Sequence, residues 1–529
     1  MRLAAEQLTI REIIGQLMMP MLPDTPELAK PEVWRQVEAD LETYHFGGYI
    51  VFRGDRQSTP PFLEELQALS EIPLLVASDM ERGAGQQLAG ATDFPSPMAL
   101  GAARNPDLAY QQGAITALEA ARAGIHWIFA PTLDLVSNPA NPIINVRGIG
   151  DEPRQVGLLG SAFIEGAQRH GVIACAKHFP GHGETTQDSH ETLPALSLSR
   201  HRLETHELLP FRQSIQAGVQ SIMIGHLAVP ALDEHGLPAS LSQRVVSDLL
   251  REQMGFMGLI VTDALMMGAI TERFDPGHAA VRALQAGVDV LLMPPDPEAV
   301  VNAVLRALEE GALTKQRLLQ SVERLFDAKA DLGLWQSSWD EEEEALPAVL
   351  PDYEPAVQAI AEAAITLVKS KEGLLPLAAE AKVGTLVLDD DDDAAAQSAW
   401  RAALADHSDV PIQVLTGDDP AESVERAIAA LGDREIVVVP VFSQVKAWKN
   451  RVDLPEVLAS VPKRLREAGK QVIVVSFTSP FLLQQFPGVE AYVCAYSPNP
   501  LCQRAAVQAL WGELPFSGRL PVDLAVPAT

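Results

Sequence analysis

Short apolar runs recur along the first part of the chain, each ending near a polar residue and followed by a stretch with helical spacing. They are 14–22 (IGQLMMPML), 46–52 (FGGYIVF), 72–79 (IPLLVASD), 125–135 (IHWIFAPTLDL), 172–178 (VIACAKH), 219–226 (VQSIMIGH), 258–265 (GLIVTDAL) and 288–293 (VDVLLM). Runs this short and this continuously apolar read as strands buried on both faces, the signature of a parallel sheet. Between them, segments such as 108–123 and 202–217 repeat apolar residues at the period of a helix. Strand–helix alternation of this kind predicts parallel β/α units. Eight such units before a change in composition favour a closed barrel over an open sheet, since a (β/α)8 barrel takes roughly 250 residues plus insertions. The polar residues at the strand ends, Asp79, Asp134, Lys177, His178, His226 and Asp263, would then gather at one mouth, where such barrels carry their chemistry.

The pattern breaks at 336–352, where QSSWDEEEEALPAVLPD is acidic, proline-bearing and without periodicity; it reads as a linker. Alternation resumes in a smaller unit, with candidate strands at 383–388, 412–415, 435–442, 471–477 and 490–495 and a helical pattern at 454–468. The expected fold class is therefore α/β: an N-terminal (β/α)8 TIM-like barrel over 1–335, then a smaller αβα sandwich over 353–529. The run Asp389–Asp393 reads as an exposed, solvated loop, with a cation site as the less favoured alternative.

Composition narrows the function classes. The chain has 529 residues, too many for one core. Seventy Asp and Glu against forty Lys and Arg give a formal charge of −30, which repels nucleic acid and anionic membrane surfaces. The three cysteines, Cys175, Cys494 and Cys502, are odd in number and irregular in spacing, so a disulfide framework is not expected and a reducing compartment fits. The N-terminal segment, interrupted by Glu6, Arg11 and Glu12, has no signal-peptide core, and no apolar run approaches the ~20 residues of a membrane span. A cytoplasmic protein is expected.

The densest candidate chemistry lies at 177–194, KHFPGHGETTQDSHETLP. Gly181 and Gly183 around His182 argue for a turn, so the segment reads as a long loop after the fifth strand. Asp188 and His190 are two apart, a spacing that lets the carboxylate hold one imidazole nitrogen while the other faces a substrate. A metal site from His178, His182, His190 and Asp188 competes, although the spacing matches no common ligand pattern. A purely structural loop is the third reading. Asp263, in IVTDALMM, ends an apolar strand and could be a nucleophile or the N-cap of a following helix. Asp79, in VASDMERG, could accept bonds from vicinal sugar hydroxyls or pair with neighbouring Arg82. Arg147, in NPIINVRGIG, could grip a hydroxyl, amide or carboxylate, or simply face solvent.

These residues resemble a known family. KHFPGHGETTQDSH is similar to the KHFPGHG…DSH signature of the bacterial β-N-acetylglucosaminidases of glycoside hydrolase family 3. The likeness extends to IFAPTLDL, NPIINVRGIG, SIMIGH, IVTDALMMGAI and the C-terminal AYSPNPLCQRAAVQALWGELPFSGRLPV, and so covers most of the chain. The resemblance implies a barrel followed by an α/β sandwich. It implies Asp263 as nucleophile, His190 as acid/base with Asp188 orienting it, and sugar contacts from Asp79, Arg147, Lys177 and His178, with Met223 and His226 lining the site more loosely. It implies retaining hydrolysis of terminal β-linked N-acetylglucosamine, with cell-wall muropeptides as the source, no metal or other cofactor and a small carbohydrate as partner. Two departures fall on the pocket wall: the usual DQEGGRVQR reads DMERGAGQQ, and N-x-RSFG reads NVRGIG. The alternatives are a phosphorylase on the same site, a β-glucosidase and a non-catalytic sugar-binding protein.

Overall fold

The computed structural model describes residues 3–335, 351–407, 410–444, 449 and 451–524. Most of the acidic segment expected to be a linker, 336–350, lies outside the described residues. The chain divides into two compact units. The first comprises Met1–Asp93, Ala109–Leu135 and Gly160–Tyr353; the second comprises Phe94–Leu108, Val136–Leu159 and Glu354–Thr529.

In the first unit the eight apolar runs become eight parallel strand segments. They are β1 (Met18–Met19), β2 (Gly48–Ile50), β3 (Leu75–Ser78), β4 (Trp127–Ile128), β5 (Ile173–Phe179), β6 (Ser221–Ile224), β7 (Leu259–Thr262) and β8 (Leu291–Leu292). Strands β2 to β7 pair in chain order as one six-stranded sheet, and β1 pairs with β8. Two parallel bridges, Met21 with Ile50 and Val261 with Val290, join these pieces into a ring. The result is a TIM-like barrel. Burial explains the absence of apolar–polar alternation: all seven residues of β5 are buried, and β3, β6 and β7 are buried throughout. One further pair, Gly54–Asp55 with Leu88–Ala89, has no counterpart in the sequence pattern because two residues carry no period.

Asp289, just before β8, is completely buried. Its carboxylate accepts from Arg251 Nη2 at 2.7 Å, Arg324 Nη1 at 3.0 Å, Ser321 Oγ at 2.5 Å and the Ile260 N–H at 3.0 Å. The eighth strand is thus tied to the seventh and to the helix Lys315–Asp331. Removing one partner of a buried ion pair strands the others. Asp289→Ala should therefore lose about 3–5 kcal/mol of stability, read as a lower urea midpoint for the barrel's unfolding transition.

The second unit holds a six-stranded sheet. Its strands are β9 (Thr366–Ser370), β10 (Val383–Asp389), β11 (Ile412–Thr416), β12 (Ile436–Phe442), β13 (Gln471–Ser476) and β14 (Ala491–Cys494). Their order is β9-β14-β13-β12-β10-β11, with only β9 antiparallel. The five expected strands are present. Strand β9 escapes sequence reading because it is an edge strand in which Thr366 alone is fully buried. The helical pattern at 454–468 forms two pieces, Glu456–Ala459 and Val461–Glu467, the second starting with Pro462 in its first turn. Two excursions from the first part of the chain also pack in this unit: Ser96 Oγ donates to Tyr496 O at 2.9 Å, and the Asp523 N–H donates to Asp151 Oδ2 at 2.6 Å.

The acidic run after β10 is not the solvated loop that its composition suggests. Asp389 is buried and accepts from Gln397 Nε2. The Asp390 carboxylate is buried between Lys449 Nζ at 2.8 Å and Arg451 Nη2 at 2.7 Å. Burial raises the Asp390 carboxyl, but these hydrogen-bonded cations outweigh it and hold it below the usual range. Asp392 at the tip is the exposed one. Cations 59 and 61 residues away in sequence, invisible to a local charge count, decide this.

Candidate active site

The C-terminal ends of the barrel strands carry the polar residues, as the register requires. At β3, Asp79 and Glu81 converge on Lys177 from β5. Lys177 Nζ, almost wholly buried, lies 2.5 Å from Asp79 Oδ1 and 2.8 Å from Glu81 Oε1. A buried ammonium needs such partners to stay charged. Glu81 is itself buried and was missing from the expected sugar contacts; its place two residues beyond Asp79 was the available signal. Arg82 pairs with Asp93 at 3.4 Å rather than with Asp79.

Asp134 follows β4 and is fully buried. It accepts from His178 Nδ1 at 2.6 Å, from the His178 N–H at 3.2 Å and from the His182 N–H at 2.6 Å. Burial alone would raise its carboxyl, yet His178 and the converging N–H groups bring it below the usual value. Asp134 therefore anchors the start of the long loop and fixes the His178 ring. Gly183 is needed at this point, since a Cβ there would collide with the Leu135 carbonyl.

The loop carries the expected pair. His190 Nδ1 lies 2.7 Å from Asp188 Oδ1, which also accepts the His190 N–H at 2.9 Å. Asp188 is buried, whereas about a quarter of the His190 side chain is exposed. With Nδ1–H committed to Asp188, proton exchange with a substrate falls to Nε2. The metal reading fares differently: the His178, His182 and His190 imidazoles each face a separate partner, namely Asp134, Thr185 with Ser189, and Asp188.

Asp263 directly follows β7. It does not cap a helix, because the next one begins at Gly268. Its Oδ1 accepts the Ala264 N–H at 2.8 Å. Burial pushes its carboxyl up, but the charges of His178, His226 and His190 and the Ala264 N–H together bring it down to about 2. It is thus ionised throughout the neutral range. His226, held by Ser240 Oγ at 2.7 Å and the Ala264 carbonyl at 3.0 Å, is buried and lowered by that burial. The loop that carries Asp188 and His190 is pinned to the same turn: Gly268 N–H donates to the His190 carbonyl at 2.9 Å and Ala269 N–H to that of Ser189 at 3.2 Å.

The barrel unit therefore brings together Asp79, Asp134, Lys177, His178, Asp188, His190, His226 and Asp263, and adds Glu81. Met223 is buried within β6, its Cα in register with Val261. Arg147 belongs to the second unit, in a turn at Asn145–Arg147, where Nη1 donates to the Ile143 carbonyl at 2.9 Å.

The barrel unit thus holds a strand-end carboxylate and an oriented imidazole at one mouth, and comparison with known proteins supplies the family. Residues 9–328 match the glycosyl hydrolase family 3 N terminal domain and 365–529 the family 3 C-terminal domain. The chain belongs to glycoside hydrolase family 3. It is 28% identical over 501 residues to a β-N-acetylglucosaminidase/β-glucosidase of Cellulomonas fimi, covering 90% of this chain and 88% of that one. It is 30% identical to β-hexosaminidase A of Pseudoalteromonas piscicida, covering 87% and 84%. A solved family 3 β-N-acetylglucosaminidase from Paenibacillus is 31% identical with a TM-score of 0.88, covering 98% of this chain and 100% of that one. A solved β-glucoside phosphorylase is 27% identical with a TM-score of 0.86, covering 98% and 95%.

Proposed function

We propose that this family 3 enzyme is a retaining exo-β-N-acetylglucosaminidase acting on terminal β-linked N-acetylglucosamine, including that of muropeptides. The carrying observation is the Asp188–His190 pair, pinned through its backbone to the turn that follows Asp263. Asp263, ionised and next to a strand end, attacks the anomeric carbon. His190 Nε2 delivers a proton to the departing oxygen. A water molecule then attacks the glycosyl-enzyme while His190 takes its proton and Asp263 leaves. Lys177, Asp79 and Glu81 bind sugar hydroxyls as a charged triad, and His178 and Met223 line the pocket. The names of the relatives support the acetamido sugar. The three cysteines are buried, which suits a reducing, cytoplasmic setting. Among the described residues no helix is long and apolar enough to cross a membrane.

Wild-type enzyme should release 4-nitrophenol from the β-N-acetylglucosaminide at least tenfold faster, in kcat/KM, than from the β-glucoside. Preference for the glucoside overturns the substrate assignment. The second reading is phosphorolysis, favoured by the likeness to the β-glucoside phosphorylase and by a neutral acid/base that does not repel phosphate. Turnover in phosphate and in phosphate-free buffer separates the two, because only phosphorolysis yields the sugar 1-phosphate.

A further inference from the structure

We infer that His182 and Ser189 form a strut that positions the acid/base loop, so that His182 acts on the reaction through His190 without touching substrate. The inference rests on the reading of His190 as acid/base. His182, Thr185 and Ser189 are all buried. The hydrogen bonds assign the tautomer. Thr185 Oγ1 gives its hydrogen to the His182 carbonyl at 3.0 Å. It therefore accepts from His182 Nδ1, 2.8 Å away. That leaves Nε2 as an acceptor, and Ser189 Oγ, at 2.9 Å, donates to it. Every hydroxyl and ring nitrogen in this chain of contacts has a consistent role. Burial pushes the imidazole down to about 4, so the ring is neutral near pH 7, as the tautomer requires.

The position of Ser189 gives the strut its consequence. Asp188 turns its carboxylate back onto the N–H and Nδ1 of His190, and Ser189 is the residue between them. Its carbonyl is held from one side by Ala269 N–H and its hydroxyl from the other by His182. His182 is in turn fixed at its own N–H by Asp134. A line of hydrogen bonds thus runs from the end of β4, through His182, to the middle of the Asp188–His190 pair. Deleting the Ser189 hydroxyl removes the one side-chain anchor described for this residue and frees the pair to shift. A displacement of that kind is costly where proton transfer demands hydrogen-bond geometry.

The test compares leaving groups. Ser189→Ala and His182→Asn should lower kcat/KM roughly tenfold or more on an N-acetylglucosaminyl-β-linked disaccharide, which needs protonation. On the 2,4-dinitrophenyl β-N-acetylglucosaminide, which does not, they should change by less than about threefold. His182→Gln, whose amide reaches Ser189, should recover most of the loss. Ser189→Ala should cost nothing further in a His190→Ala background, since both act through one group. Equal losses on both substrates, or additive losses with His190→Ala, overturn the strut while leaving the acid/base reading intact. If His190→Ala itself shows no leaving-group dependence, the acid/base reading fails and the strut falls with it. Ser189→Ala removes a single oxygen, so the test stands even if the His182 variants fold poorly.

Discussion

Asp263→Asn should lower kcat on 4-nitrophenyl β-N-acetylglucosaminide by roughly four orders of magnitude, about 5.5 kcal/mol of transition-state stabilisation. The amide has almost the volume of the carboxylate and can still accept the Ala264 N–H through its oxygen, so the fold should persist. What disappears is the charge. Asp263 carries an ionised carboxylate down to about pH 2, despite burial, because three histidines and a backbone N–H surround it. A neutral amide neither attacks the anomeric carbon nor balances the positive charge that grows on it. Thermal unfolding should move by only a few degrees, since the amide oxygen keeps the Ala264 N–H contact. Asp263→Gly opens space for a small anion, and added azide should then give the α-glycosyl azide, the product of direct attack from the vacated face. Wild-type-like turnover by Asp263→Asn would remove Asp263 from the nucleophile role.

His190→Ala should act selectively. On a disaccharide, where the departing sugar oxygen must be protonated, the expected loss in kcat/KM is roughly 10²–10⁴-fold, the usual reach of general acid catalysis. On the dinitrophenyl glycoside the loss in kcat/KM should stay below about tenfold, because that phenolate departs unprotonated. In kcat the same substrate should fall further, since His190 also serves as base when water attacks the glycosyl-enzyme. Asp188→Asn should show an intermediate version of this pattern. Asp188 accepts both the His190 N–H and Nδ1; an amide oxygen retains an acceptor but loses the charge that supports an imidazolium. A uniform loss across leaving groups would show that His190 is not the proton donor.

Local relations were legible because short stretches of backbone enforce them. The eight apolar runs became the eight barrel strands, since continuous burial on both faces leaves little room for another pattern. The Asp188–His190 contact could be read from a spacing of two, because a carboxylate can always fold back onto an N–H that close. The strand-end position of Asp263 followed from the end of its apolar run. Its alternative role as a helix cap was not decidable locally; only the helix start at Gly268 excludes it.

Other relations were decided by tertiary structure, and each joins residues far apart in the chain. Lys177 meets Asp79 across 98 residues and Asp134 meets His182 across 48; these pairs exist because the parallel strands β3, β4 and β5, consecutive in the sheet, all end on the same side. Arg451 finds Asp390 across 61 residues and pairs a buried carboxylate in an acidic run that looks solvated. The segments Phe94–Leu108 and Val136–Leu159 lie amid barrel sequence, yet they pack with the second unit. Periodicity along the chain reports which face of an element is buried, but not what buries it. The sequence by itself therefore determined the eight barrel strands, five of the six strands of the second unit and the local Asp188–His190 contact. Tertiary structure alone decided which charge answers which, because a buried ion finds its partner through space, at whatever sequence distance the closed sheet imposes.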